Sequence, residues 1–245
     1  MRRKLTAVAL AALLAVQACS VPQMAVEPTF KQQAQELPIE GRKTFQPNGN
    51  FSIGGYTVAN VHKGWKRSGG FNLLGYQNLK SGQQYEFSLR NGQGREWYVF
   101  GASRLHEKNL ASSNGISIRM APNLEYYTSH FTSPESGQWH LLTADPGHYQ
   151  DRKRFEGELS NGSTTYTVSP VYKVEGKGLP LPDIVGYEFK SGTEVLGAVQ
   201  VLNNGKVWLQ PNLSADTRMV LASAMASLLL YDKLYSSDTG IEPNS

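Results

Sequence analysis

Hydrophobic and polar residues alternate in short segments along most of the chain between residues 51 and 209. In segment 84–90, Tyr85, Phe87 and Leu89 alternate with charged or polar residues, which is the period-two pattern of a half-buried strand. A second such segment, 95–100, follows the turn-forming stretch Asn-Gly-Gln-Gly. The two segments are therefore predicted to form a β-hairpin.

The same punctuation recurs along the chain, and its clearest instance is the Asn-Asn-Gly stretch at 203–205, which separates apolar segments 195–202 and 206–209. Asparagine and glycine tolerate the positive φ angles that tight turns need. This pattern predicts ten or more short strands before residue 213. Residues 121–155 are the least regular, with several prolines and glycines, and are expected to form long loops or a short excursion from the sheet. Residues 176–184 are expected to form a proline-rich connection before the final strands.

One segment, 215–233, has a different pattern, because residues 219–231 are apolar except for Ser223 and Ser227. Ser214 is positioned to cap a helix that begins near residue 215, and Asp216 suits its positive end. Thirteen helical residues cover roughly 20 Å, whereas the hydrocarbon core of a bilayer is about 30 Å thick. A helix that is apolar on every face and too short to span a membrane is expected to be enclosed by protein.

Many strands followed by one buried helix predict a mainly β fold, an antiparallel barrel or strongly curved sheet that encloses a C-terminal helix at about 215–233. A β-sandwich with a packed C-terminal helix is the alternative. The end of the chain resembles that of the tubby C-terminal domain, the phospholipid scramblases and the LURP-one-related proteins. The resemblance lies in the strand pair at 195–210, in Asp216 and Arg218 before the apolar stretch, and in Asp232 after it. The resemblance implies the barrel fold and, by analogy, an association with lipid or membrane; no functional residue carries over from it.

The first twenty residues have the three parts of a secretory signal: a basic start, an apolar stretch from residue 7 to 16, and Ala18 before Cys19. The ending Val-Gln-Ala-Cys resembles the bacterial lipobox, and Cys19 is the single cysteine of the chain. The resemblance implies cleavage between Ala18 and Cys19, diacylation of the thiol and acylation of the new amino terminus. The alternative is an ordinary signal peptide with a chance cysteine.

These features predict four segments: a lipoprotein signal peptide at 1–18, a lipidated flexible tether at 19–50, a single β-rich domain at 51–235, and a disordered tail at 236–245. The tether is expected because residues 20–50 contain four prolines, a polar run at 31–36 and no sustained apolar period.

Charge excludes one class of partner. The chain has 24 Lys and Arg against 20 Asp and Glu, and three of the basic residues fall in the predicted signal peptide, so the mature balance is 21 against 20. A net charge of +1 gives no support for nucleic-acid binding. The expected partners are a membrane, held through the lipid on Cys19, and a lipid or envelope protein.

A search for catalytic chemistry indicates no catalytic residue, metal site or cofactor. The five histidines have no pair at helical ligand spacing, and the Asp-Thr-Gly triplet at 238–240 lacks a buried strand. A catalytic acid pair remains an alternative, because carboxylates that are separate in the sequence can be brought together by the fold. Asp151, Glu156 and Glu158 are examples of such carboxylates. The four tryptophans are expected to be core residues, with a lipid or sugar platform as the alternative.

Two functional classes follow. The favoured one is a non-catalytic lipoprotein on the periplasmic face of an envelope membrane, acting as a binding or assembly module for lipid or a protein partner. The outer membrane is expected because Ser20, rather than aspartate, follows Cys19. The alternative is an envelope hydrolase acting on glycan or lipid.

Overall fold

The computed structural model describes residues 22–43, 46, 48–64, 83–105, 124–147 and 149–233. In these residues thirteen antiparallel strands form a single sheet, accompanied by the helices α1, Pro28–Gln33, and α2, Ala215–Leu230, and a 3₁₀ helix, Tyr149–Arg154. The strands are β1 Gln35–Leu37, β2 Ile39–Glu40, β3 Phe51–Ile53, β4 Tyr56–Gly64, β5 Gln83–Asn91, β6 Glu96–Leu105, β7 Glu125–Ser133, β8 Gly137–Asp145, β9 Glu156–Ser160, β10 Thr165–Val171, β11 Gly186–Ser191, β12 Glu194–Gln200 and β13 Lys206–Leu209.

The sheet curves into a nearly closed barrel. Each strand from β2 to β13 pairs with its neighbours in sequence, and β13 then pairs with β1. β1 and β2 are successive pieces of one extended stretch separated by Pro38, so the two ends of the sheet meet in the same segment. A proline at this point costs little because it lies between the two pieces, where no ladder hydrogen bond is required of it. The predicted mainly β barrel is confirmed.

The hairpins expected from turn chemistry are present. β5 pairs with β6, with Gly94 at a φ of 82° in the turn. β12 pairs with β13 across a turn in which Asn203 and Gly205 have φ values of 56° and 84°. Both turns use the left-handed region that asparagine and glycine occupy at least cost.

Helix α2 fills the barrel. Ser214 caps it, accepting a hydrogen bond from the Thr217 backbone N–H at 3.1 Å, as the sequence predicts. Every residue from Met219 to Leu230 is buried. The fit against the wall is close, since a Cβ added to Gly197 on β12 would lie 2.5 Å from a Met225 carbon. The helix ends at Leu230 rather than near 233, because Tyr231 is already extended.

Ser227 on α2 ties the helix to the opposite wall. Its hydroxyl lies 2.5 Å from the Tyr85 hydroxyl, 2.6 Å from the Tyr127 hydroxyl and 2.7 Å from Ser129 Oγ. The Tyr85 hydroxyl is also 3.0 Å from the Ser227 carbonyl oxygen. The contact fixes both the depth and the rotation of α2, since a hydrogen bond is sensitive to distance and angle.

Two sequence-based expectations are wrong. Residues 121–155 are not long loops, because 125–133 and 137–145 form the nine-residue strands β7 and β8. The turn residues of that region lie between and after the strands: Pro134 is in the β7–β8 turn and Pro146 directly follows β8. Proline there ends strands without interrupting their ladders.

The predicted tether at 19–50 is also wrong for the residues that the structure describes. Met24, Val26 and Phe30 are buried on the outer surface of the barrel against a cluster that includes Trp208. The rest of the segment supplies strands β1 and β2, so the β-rich domain begins well before residue 51. The predicted signal peptide at 1–18 and the tail at 236–245 lie outside the described residues.

Arg42, also within the expected tether, caps the end of α2. Its Nη2 donates to the Leu229 carbonyl at 2.7 Å and its Nη1 donates to the Asn203 carbonyl at 2.9 Å. A cation at the carboxyl end of a helix satisfies free carbonyls and complements the helix dipole. The barrel end at which α2 finishes is called the exit end below.

Candidate functional site

The predicted lipid-attachment site, Cys19 with Ala18 before it, lies outside the described residues. The structure does show where the residues that follow this site in the sequence lie on the barrel. Met24 forms an antiparallel bridge with Val174. The Ala25 N–H donates to the Lys173 carbonyl at 2.9 Å, and the Glu175 N–H donates to the Gln23 carbonyl at 2.8 Å. Followed backward from Met24, the chain therefore runs beside residues 173–175 at the exit end.

Two buried carboxylates face each other at this end of the barrel. Glu125 and Asp145 are directly paired across β7 and β8 and are only 2% and 3% exposed. Glu125 shares a strand face with Tyr127, which contacts α2, so both acids belong to the inner side of the sheet. Sequence reasoning missed them because the region was expected to be loop.

Both oxygens of the Asp145 carboxylate have partners, the Lys233 side chain and the Gly147 backbone N–H. The Lys233 ammonium lies 2.8 Å from Oδ2, and the Gly147 N–H donates to Oδ1 at 2.8 Å. A buried charge is costly without such partners. Lys233 thus turns back onto the barrel, whereas Asp232 beside it stays exposed.

Three tyrosines surround the acids. Burial, and then the negative charges of Asp145 and Glu125, raise the pKa of Tyr187 well above its ordinary value. Burial and the Glu125 charge do the same to the pKa of Tyr231, and burial followed by Asp145 raises the pKa of Tyr172. The phenols therefore stay protonated at any physiological pH and can act only as neutral hydrogen-bonding groups.

Asp232, next to Lys233 at the exit end, is held by a second set of polar contacts. Lys63 Nζ lies 2.6 Å from Asp232 Oδ2, and the Gln83 side chain both donates to this carboxylate and accepts from the Asp232 N–H. Together with the Lys233–Asp145 pair, these contacts fasten the residues that follow α2 to strands β4, β5 and β8. The arrangement is that of a structural clasp, in which the buried Asp145 and the exposed Asp232 each pair with a lysine.

The carboxylates that the sequence left open as an acid pair all lie outside the packed interior of the barrel. Glu156 and Glu158 lie two residues apart on β9, on the face opposite the inward-pointing Leu159. Asp151 is exposed on the 3₁₀ helix. These residues lie on the outer side of the barrel, away from its packed interior.

Two histidines meet on the outer surface of the β7–β8 hairpin. His130 and His140 are opposite each other, their Nδ1 atoms are 3.0 Å apart, and Thr132 Oγ1 lies 2.9 Å from His130 Nε2. Burial lowers the pKa of His130, and burial together with the neighbouring imidazole lowers the pKa of His140 to about 4. A search for helical ligand spacing misses this pair because strand register, not helix periodicity, aligns it; His106 and His148 lie outside the described residues.

The tryptophans that the structure describes are core residues, as expected. Trp97 and Trp208 are each 2% exposed, and Trp139 stacks on Tyr166 with ring centroids 5.5 Å apart. Trp65 and the Asp-Thr-Gly triplet at 238–240 fall outside the described residues. In the part of the chain that is described, no group of three or more His, Cys, Asp or Glu side chains is arranged to hold a metal ion.

Among the described residues, no helix combines the length and the apolar character required to cross a membrane. No protein-family model, curated protein or solved structure matches the chain.

Proposed function

We propose that this protein is a non-catalytic lipoprotein of the bacterial cell envelope, anchored by lipid on Cys19, that acts as a binding or assembly module for lipid or a protein partner. The observation that carries the non-catalytic part is the burial of α2. Twelve successive residues, from Met219 to Leu230, fill the barrel and are contacted from both walls. Recognition by such a molecule falls on its outer surface and its ends.

The acids at the exit end support the same proposal. Hydrolysis of a glycan by two carboxylates requires both to reach the substrate, and one of them to exchange a proton. Glu125 and Asp145 are buried, and Asp145 is engaged by Lys233 and the Gly147 N–H. Their geometry suits fastening the end of α2 better than it suits the alternative of an envelope hydrolase.

Anchoring is tested by fractionating cells that produce the Cys19→Ser variant. Without the thiol there is no lipidation, and more than one acyl chain is what makes attachment durable, so the variant is expected in the soluble periplasmic fraction. The unaltered protein is the control and should stay with outer membranes. Retention of the variant on membranes would contradict the lipobox interpretation.

The binding role is tested by crosslinking in intact cells, with a photoreactive residue replacing Tyr98. This side chain is 55% exposed on the outer face of β6, so it can report a neighbour without disturbing the core. The expected product is an adduct with one lipid or envelope protein, identified by mass spectrometry. Turnover of envelope glycan or lipid by the purified protein would instead favour the hydrolase.

A further inference from the structure

The route of the chain toward Cys19 limits how far the barrel can stand from a membrane. Met24 is fixed against Val174, and Cys19 is five residues earlier in the sequence. Five fully extended residues span at most about 18 Å. A lipid on Cys19 would therefore hold the exit end close to the bilayer surface, whereas a flexible tether of thirty residues would not.

The loop beside this anchoring point has the character of a membrane-contacting surface. Residues 175–179, between β10 and β11, are all exposed. Leu179 at the end of the loop is 80% exposed, and among the described residues Tyr98 is the other large apolar side chain that is mostly exposed. Tyr98 lies on the side of the barrel, whereas Leu179 belongs to the loop whose first residue, Glu175, donates its N–H to the Gln23 carbonyl.

The charges around Leu179 favour an anionic surface. Lys173 and Lys177 are both exposed. The acid between them, Glu175, forms an ion pair with Lys31, so its charge is balanced within the protein. Two lysines are left to contact lipid headgroups, and each basic residue near an anionic bilayer adds to binding.

We propose that loop 175–179 is the membrane-contacting surface of the anchored protein, with Leu179 at the boundary between headgroups and acyl chains and Lys173 and Lys177 on anionic headgroups. This inference rests on the proposed lipidation of Cys19. The lipid holds the protein on the membrane, and the loop sets its orientation, because an apolar side chain flanked by lysines is stable at the interface. The opposite end of the barrel then faces away from this membrane and is available to a partner.

The test uses the full-length lipidated protein, purified and reconstituted into vesicles of phosphatidylethanolamine and phosphatidylglycerol. Because Cys19 is the single cysteine and carries the lipid, an introduced thiol can be labelled selectively. Leu179→Cys is compared with Thr193→Cys, an exposed position in the β11–β12 turn at the other end of the barrel. The probe is a charged, membrane-impermeant maleimide.

Labelling of Leu179→Cys is expected to be about tenfold slower in vesicles than in detergent, because a charged reagent is excluded from the apolar boundary. Labelling of Thr193→Cys should proceed at the same rate in both. Replacing both lysines by glutamate in the Leu179→Cys protein should restore most of the lost rate.

Equal labelling of the two positions in vesicles that retain the protein would overturn the proposed orientation and leave the lipid anchor intact. Failure of the protein to remain with the vesicles would overturn the anchor itself. Protection of position 179 in cell membranes but not in vesicles of pure lipid would also overturn the proposal, since an envelope protein would then be covering the loop.

Discussion

At the scale of single residues, two serines one turn apart on α2 have different environments. Ser227 is in contact with the hydroxyls of Tyr85, Tyr127 and Ser129. Ser223 is equally buried, and its hydroxyl has no hydrogen-bond partner among the described residues. An unpaired buried hydroxyl lowers stability, whereas a hydroxyl in contact with three others contributes to the hydrogen bonding of each of them.

Replacement of each serine by alanine should therefore affect the free energy of unfolding differently. Ser227→Ala removes one contact from each of three buried hydroxyls, of which Tyr85 and Ser129 keep a backbone carbonyl, and is expected to lower the free energy of unfolding by about 1–3 kcal/mol. Ser223→Ala, the matched control, removes an unpaired group and should leave stability unchanged or slightly raised. Urea denaturation of the two variants gives the comparison, and equal losses would contradict the assigned role of Ser227.

The sequence predicts that α2 is buried but not what it touches. An apolar helix with a serine cap is visible from pattern alone, and both the start at Ala215 and the burial of every face are as expected. A serine inside a helix can bond to a carbonyl one turn back in its own helix. Ser227 instead bonds across the barrel, because its partners on β5 and β7 are set by strand register and curvature, which short-range pattern does not encode.

At the scale of elements, the β7–β8 hairpin shows how proline and glycine can mislead. Pro134 and Gly137 are both at the turn, where Gly137 has a φ of 81°. These residues predict a break in the chain, and the break is real but only a few residues long. The paired histidines follow from the same register, and they would have been found by counting outward from the turn had the hairpin been recognised.

The histidine pair should make stability fall in mild acid. The pKa of His140 is lowered from its ordinary 6.5 to about 4, and the pKa of His130 is also lowered. Between pH 6.5 and pH 4 the two histidines bind protons in the unfolded chain more readily than in the folded protein. The free energy of unfolding therefore decreases as pH falls from 6.5 toward 4. Above pH 6.5 both states are neutral at these positions and no penalty applies.

Thermal melting at pH 7.5 and pH 5 measures this effect. The drop in melting temperature between the two should be smaller in the double variant His130→Gln with His140→Gln than in the unaltered protein. His62→Gln is the matched control, since His62 is exposed on β4 and should not alter the drop. An unchanged pH dependence in the double variant would show that other groups cause it.

At the scale of the whole molecule, the N-terminal segment closes the barrel. β1 pairs with β13 and β2 pairs with β3, so this one segment supplies both ends of the sheet, and Arg42 caps α2. Residues 24–34 cover an apolar patch on the outside around Trp208. Sequence pattern does not reveal this because the apolar residues Met24, Val26 and Phe30 form no sustained strand or helix period. The surface that buries them exists only once β10 to β13 have assembled.

Phe30 tests whether this segment is part of the fold. The side chain is 4% exposed against the outer cluster, so Phe30→Ala is expected to lower the free energy of unfolding by about 3 kcal/mol. Gln33→Ala, exposed on the same helix, is the matched control and should stay within about 0.5 kcal/mol of the unaltered protein. Deleting residues 22–45 removes β1, β2 and Arg42 together and should abolish cooperative melting. A deletion variant that melts at nearly the same temperature would show that the barrel closes without this segment. It would then support the interpretation of the segment as a flexible tether.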